Sequence, residues 1–129
     1  MKILIVDDEE MIRDVLREYV EFEGNEAFEA ADGMEAVKLC REKDYDLILM
    51  DVQMPRLNGF QATAVIRACN HPQSKSVVIC AMTANAFKED VNKSLASGMN
   101  GHLAKPINMN DLKRTIHRLL VTRGKYEQN

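Results

Sequence analysis

The stretch Leu47-Ile48-Leu49-Met50-Asp51, followed by Val52-Gln53-Met54-Pro55, constrains this chain more than any other. Four consecutive apolar residues run into one acid, and a proline follows shortly after. A continuous apolar run of this length reads as a buried strand, the pattern of a parallel sheet covered by helices. Proline cannot donate to a ladder, so the strand ends before Pro55. Asp51 therefore stands where a buried strand emerges into a loop. In open parallel α/β sheets that carboxyl edge is where ligands bind. Asp51 is the leading candidate for a chemical centre.

The rest of the chain repeats the pattern. Lys2 to Val6 is a short run rich in β-branched residues, and it stops at Asp7-Asp8-Glu9-Glu10. Acids favour the first turn of a helix. Met11, Ile12, Val15, Leu16, Tyr19 and Val20 then recur at the spacing of one buried helical face, ended by Gly24-Asn25. Glu26–Ala31 reads as a strand near an edge. Asp32 and Glu35 form a pattern like a capping box, opening a helix to about Glu42 with Met34, Val37 and Cys40 inward. Arg56-Leu57-Asn58-Gly59 is a turn signal. It leads into a helix with Phe60, Ala64, Ala68, Ile66 and Cys69 among its apolar positions. Val77–Met82 is another buried strand, ending at Thr83. Phe87, Val91 and Leu95 mark a helix closed by Gly98, and Gly101–Ala104 is a last strand leading to Lys105-Pro106. Asn108 caps a final helix with Leu112, Ile116, Leu119 and Leu120 inward.

Five strands alternating with five helices predict an α/β fold: one parallel sheet with helices on both faces and right-handed crossovers. At 129 residues the chain is one domain. Its bounds are set at 1–122, with 123–129 a polar tail. A net charge of −3 with scattered Lys and Arg offers no electrostatic footprint for nucleic acid or an anionic membrane. Cys40, Cys69 and Cys80, an odd set without paired spacing, argue against a disulfide framework or a zinc site and read as small buried hydrophobes. The short run after Met1 is too brief for a signal peptide or a membrane span, so a cytoplasmic location is expected.

Asp7 and Asp8 end the first strand, Asp51 the third, Thr83 the fourth and Lys105 the fifth. On a doubly wound sheet these ends share one edge. Three acids, a hydroxyl and an ammonium would converge there from positions up to about a hundred residues apart. Clustered carboxylates repel and call for a cation. An all-oxygen donor set without His or Cys suits Mg²⁺. Mg²⁺ with a lysine suits phosphoryl transfer, and a carboxylate can serve as its nucleophile.

The segments Ile5-Val6-Asp7-Asp8-Glu9, Asp32-Gly33-Met34-Glu35-Ala36, Leu49-Met50-Asp51-Val52-Gln53-Met54-Pro55, Asn58-Gly59, Met82-Thr83-Ala84 and Lys105-Pro106 resemble, in order and spacing, the receiver domain of two-component response regulators. The resemblance runs from Lys2 to about Leu120. It implies a flavodoxin-like (βα)5 fold with strand order 2-1-3-4-5. It implies that Asp51 accepts a phosphoryl group from a phosphohistidine on a sensor histidine kinase or a histidine phosphotransfer domain. Mg²⁺ would be held by Asp7, Asp8, Asp51 and the backbone carbonyl of Gln53. Lys105 would pair with the Asp51 carboxylate or phosphoryl oxygens, and Thr83 would move to hydrogen-bond the phosphoryl group. The Lys105-Pro106 peptide would be cis. Gln53 and Asn85 would flank the phosphoryl group and tune its lifetime. Donor docking would use Met11, Ile12, Pro106 and Ile107. The family's switch position, usually Tyr or Phe, is His102 here, a polar imidazole.

Such a domain is not an enzyme on other substrates; it catalyses only its own phosphorylation and dephosphorylation, and it controls a downstream target. Two alternatives compete. A haloacid-dehalogenase-like phosphatase needs a second acid where Gln53 stands. A phosphorylation-independent module on the same fold does not need the acids and the lysine, all of which this chain keeps. Met1 directly before the first strand favours a stand-alone protein or the front of a truncated regulator.

Overall fold

The computed structural model describes residues 1–84 and 88–122. Strands and helices alternate as β1 (Lys2–Val6), α1 (Glu10–Phe22), β2 (Glu26–Ala30), α2 (Gly33–Glu42), β3 (Leu47–Asp51), α3 (Gly59–Ala68), β4 (Val78–Thr83), α4 (Lys88–Ala96), β5 (Gly101–Ala104) and α5 (Met109–Thr122). All pairings are parallel, and the sheet order is β2-β1-β3-β4-β5. This is the doubly wound arrangement that the alternation of apolar runs predicts.

Successive strand residues point to opposite faces, so each apolar run feeds two cores. Ile3, Ile5, Leu47, Leu49, Val78, Cys80 and Met82 meet Leu16 and Val20 of α1 and Leu112, Ile116, Leu119 and Leu120 of α5. Leu4, Val6, Ile48, Met50, Ile79 and Ala81 meet Ala36 and Val37 of α2 and Ala62 and Ile66 of α3. Every residue of β3 is buried. Burying a Leu or Ile fully is worth about 2 kcal/mol, so β3 is a strongly held rib of the sheet, as is β4, also buried throughout, and Asp51 is the last residue of β3.

The helices differ from the expected faces in several places. Met11 and Val15, assigned to the inner face of α1, are 80% and 54% exposed. The core contact of α1 is narrower, through Leu16 and Val20 with Ile12 and Tyr19 half-buried. Met34 is likewise exposed, and the inner face of α2 is Gly33, Ala36 and Val37. On α3 the buried positions are Gly59, Ala62, Thr63 and Ile66, while Ala64 and Ala68 face outward. Alanines stood on both sides of that helix, and composition could not choose between them. Leu95 is exposed, so the expected α4 stripe reduces to half-buried Val91; Phe87 lies outside the described residues. Of the cysteines only Cys80 is buried; Cys40 and Cys69 are half-buried. Burial pushes the Cys80 and Cys40 thiols up to about 12, which makes them poor nucleophiles.

Local chemistry sets the element ends. Gly24 and Gly98, at φ +86° and +100°, close α1 and α4. In each case the next two amides fold back onto the last turn: Gly24 and Asn25 donate to the Glu21 and Val20 carbonyls, and Gly98 and Met99 to those of Leu95 and Ser94. Asp32 accepts from the Glu35 amide at 2.8 Å, but Glu35 reaches back to Ala31 N–H, one residue short of a full capping box. The complete box is at α3, where Asn58 and Gln61 bond reciprocally at 2.8 and 3.0 Å. Asn108 caps α5 as expected, accepting from Asn110 and Asp111.

Two features beyond the sequence reading anchor this frame. Arg67 at the end of α3 donates to the carbonyls of Gly98, Ser74 and Val77 and to Asn100 Oδ1, at 2.6–3.3 Å. It rivets α3 to the entries of β4 and β5. Gly59, the first residue of α3, lies against the end of β3. A Cβ there would sit 2.4 Å from the Asp51 carbonyl oxygen and 2.8 Å from Val52 Cα. These are backbone atoms at the end of a fully buried strand and cannot yield cheaply. Gly59→Ala is expected to cost about 2 kcal/mol, read as a lower urea midpoint with an unchanged slope.

Candidate functional site

Parallel register brings the strand ends to one edge. Val6 pairs with Met50, Asp51 with Met82, and Thr83 with Ala104. Asp7 and Lys105 directly follow β1 and β5, and the Lys105 amide donates to the Thr83 carbonyl at 2.8 Å. Asp7, Asp51 and Thr83 are buried, while Asp8 and Gln53 are exposed.

The side chains form one connected group. Lys105 Nζ lies 2.8 Å from Asp7 Oδ2 and 3.2 Å from Asp51 Oδ1. Asp7 Oδ1 accepts from the Glu9 amide at 2.9 Å, and Asp51 Oδ1 accepts from the Gln53 amide at 3.2 Å. Carboxylate oxygens of Asp7, Asp8 and Asp51 lie within 4.8 Å of one another. Arg13, which the sequence reading left unassigned, donates to the Asp7 backbone carbonyl at 2.8 Å and pairs with Glu29 of β2 at 3.2 Å. It holds the turn after β1 in place. A basic residue on the α1 flank opposite an acid on β2 was the only signal for it.

Burial, and then the charge of Asp7, raise the Asp51 carboxyl to about 6, against the opposing Gln53 N–H and Lys105. Burial alone would lower Lys105, but the hydrogen bond to Asp7 and the charges of Asp51 and Asp7 outweigh it and hold the ammonium above its ordinary value. The site thus concentrates negative charge beyond what one ammonium neutralises. Three carboxylates with oxygen-only donors fit a hard divalent cation that takes few protein carboxylates.

The remaining sequence candidates are dispersed. His102 is half-buried, two residues from Ala104, and borders a groove with Asp111, Arg114 and Arg118 of α5. The Lys105-Pro106 peptide is cis, as the resemblance implied. Met11 and Pro106 are exposed, and Ile12 and Ile107 are half-buried against the α1–α5 core. Asn85 lies outside the described residues. No helix among the described residues is long and apolar enough to cross a membrane.

A sheet of order 2-1-3-4-5 with an acid cluster and a lysine at its carboxyl edge defines an α/β receiver architecture. Residues 3–117 match the family described as the response regulator receiver domain, and the chain belongs to that family. Hybrid signal transduction histidine kinase G of Dictyostelium discoideum is 38% identical over 120 residues, covering 92% of this chain and 4% of the kinase. The chain therefore spans a small part of that relative's length. The receiver domain of sensor histidine kinase PA1611 from Pseudomonas aeruginosa, with magnesium coordinated in its active-site cleft, superposes with a TM-score of 0.84 at 37% identity, covering 93% of this chain and 97% of that one. The Saccharomyces cerevisiae co-crystal of the phosphotransfer protein Ypd1 with the receiver domain of Ssk1 matches with a TM-score of 0.86 at 29% identity, covering 95% and 90%.

Proposed function

We propose that Asp51 accepts a phosphoryl group from a phosphohistidine of a sensor kinase or a histidine phosphotransfer domain. The observation that carries this is the Asp7–Lys105–Asp51 connection at the end of the fully buried strand β3. An Asp51 carboxylate oxygen attacks phosphorus in line. The phosphorus–nitrogen bond to the donor imidazole breaks, its electron pair returns to the ring nitrogen, and an acyl phosphate remains on Asp51. Lys105 neutralises oxygens of the transferred group, and its bond to Asp7 orients the ammonium. The Thr83 hydroxyl, on the neighbouring strand end, hydrogen-bonds the phosphoryl group once it is in place. Asp7, Asp8, Asp51 and the Gln53 carbonyl would hold Mg²⁺. Bound there, Mg²⁺ supplies positive charge for the phosphoryl oxygens.

A phosphoryl group adds about two negative charges beside Lys105 and Thr83. Their approach to it biases a two-state equilibrium, read out through His102 and toward a downstream target. Gln53 and Asn85 tune the lifetime of the acyl phosphate. Met11, Ile12, Pro106 and Ile107 form the donor surface beside the site. The chain acts in the cytoplasm and turns over no substrate other than its own acyl phosphate.

The test is intact-mass measurement after incubation with acetyl phosphate and Mg²⁺. The wild type gains one phosphoryl group and Asp51→Ala gains none. An unmodified wild type, or an adduct that survives Asp51→Ala, overturns the proposal.

A further inference from the structure

Asp7 and Asp8 bring neighbouring carboxylates to the acid cluster, yet they are held in different ways. Both Asp7 oxygens have partners: Lys105 Nζ at 2.8 Å and the Glu9 amide at 2.9 Å. The Asp8 carboxylate is exposed and makes no hydrogen bond or ion pair with the described residues. Its aim at the cluster therefore depends on the backbone that carries it. The peptide groups on either side of Asp8 are planar, and each is fixed by one hydrogen bond. The Asp8–Glu9 peptide donates its N–H to Asp7 Oδ1. The Asp7–Asp8 peptide accepts at its carbonyl from Arg13 Nη1 at 2.8 Å. With both planes held, the rotations that would swing Asp8 away from the cluster are restrained.

Arg13 is itself anchored. Its side chain is 14% exposed, and its Nε donates to Glu29 Oε1 at 3.2 Å. Arg17 Nη1 takes the second oxygen of Glu29 at 2.8 Å. Glu29 precedes Ala30, whose carbonyl accepts the Asp7 amide at 3.2 Å. The end of β2 thus grips Asp7 twice, at its N–H directly and at its carbonyl through Arg13. A guanidinium suits this task because its planar fork sets donors in fixed directions, here one for a carboxylate and one for a carbonyl. Charge does not explain the arrangement. Arg13 is paired with Glu29, and the charges that act on the Asp51 carboxyl are those of Asp7 and Lys105.

We propose that Arg13 is a positioning residue for the metal ligands: by fixing the Asp7 carbonyl it aims the Asp8 carboxylate at the divalent cation. This rests on the reading that Asp7, Asp8 and Asp51 hold Mg²⁺. Groups that orient ligands without touching the ion carry about tenfold or more of metal affinity. Charge and position have opposite consequences here. A guanidinium beside a cation site repels the ion, so if it acted by charge, deleting it would tighten binding. If it acts by position, deleting it weakens binding.

The experiment measures the Mg²⁺ dissociation constants of wild type, Arg13→Met and Arg13→Lys at neutral pH. Each constant comes from the rise in urea midpoint with added Mg²⁺, referred to the same protein's midpoint in chelator, so that a loss of fold stability cancels. Arg13→Met is expected to raise the constant about tenfold. Arg13→Lys keeps the charge but loses the planar fork, and is expected to raise it about threefold. An unchanged constant for Arg13→Met leaves the arginine a role in fold stability alone and overturns the proposal, as does a lower one. A wild-type constant for Arg13→Lys also overturns it, and this variant decides the matter if Arg13→Met does not fold. A wild type whose midpoint does not respond to Mg²⁺ fails the metal reading itself, an outcome distinct from these.

Discussion

Asp51→Asn is expected to abolish phosphoryl uptake and, in metal-free buffer at neutral pH, to make the fold more stable by about 2–3 kcal/mol. The two effects have one cause. Asp51 is 3% exposed, and its carboxyl is lifted from 3.8 to about 6 by burial and by Asp7. A raised carboxyl favours the protonated form in the native state. Between about pH 4 and 6 the folded chain therefore binds more protons than the unfolded chain, and stability falls as pH rises through that window. Above it the penalty is fully present. Asparagine removes the charge while keeping an oxygen for the Gln53 amide at the place where Asp51 accepts it. Urea unfolding of both proteins in chelator, from pH 4 to 8, should show a gap that opens with rising pH and is mostly closed near pH 4. Added Mg²⁺ should stabilise the wild type and narrow the gap, because the cation binds the native cluster. A variant less stable than wild type at pH 7, or a gap independent of pH, contradicts this account of the site.

Lys105→Met should act in the opposite direction, lowering stability at neutral pH by about 3 kcal/mol and cutting phosphoryl uptake severely. Methionine keeps the length and apolar stem but not the charge. Asp7 is fully buried, and its Oδ2 loses the ammonium at 2.8 Å, leaving only the Glu9 amide on Oδ1. Removing one partner of a buried pair strands the other charge, which costs more than the pair itself contributes. Asp7 and Asp51 then repel without a cation between them. The Lys105 ammonium is held above its ordinary value. Its contribution is therefore complete throughout neutral pH and is lost only in the alkaline range, as pH rises through the raised value. The wild type should accordingly be insensitive to this group between pH 6 and about 9, and the deficit of Lys105→Met should shrink in acid as the carboxylates take protons. Equal stability of the two proteins at pH 7 would show that the acids find other partners.

Much of the site was legible because its residues are the last of a strand or come directly after one. Asp7, Asp51, Thr83 and Lys105 stand at the boundary where an apolar run stops, and that boundary is written in local sequence. The helix faces were less legible. Met11, Val15 and Met34 satisfied the helical period, yet they face water. Periodicity names a stripe, while the width of the stripe depends on how closely the next element approaches. On α3 the choice between Ala62 and Ala64 is set by the Gly59 contact with the Asp51 carbonyl, which rotates the helix. The positioning arginines were nearly silent. Arg13 and Arg67 act on backbone carbonyls of distant residues, and no spacing rule marks a carbonyl as needing a donor.

What the sequence by itself determined is the alternation of buried strands and amphipathic helices, and with it the parallel doubly wound sheet, because hydrophobic period and strand-end chemistry are local properties. Only the tertiary structure decided how the edge works: that Lys105 bridges Asp7 and Asp51, that burial and Asp7 raise the Asp51 carboxyl, and that Arg13 holds the Asp7 carbonyl. Distance, desolvation and hydrogen bonding all depend on which segments meet, and a sequence shows the segments without the meeting.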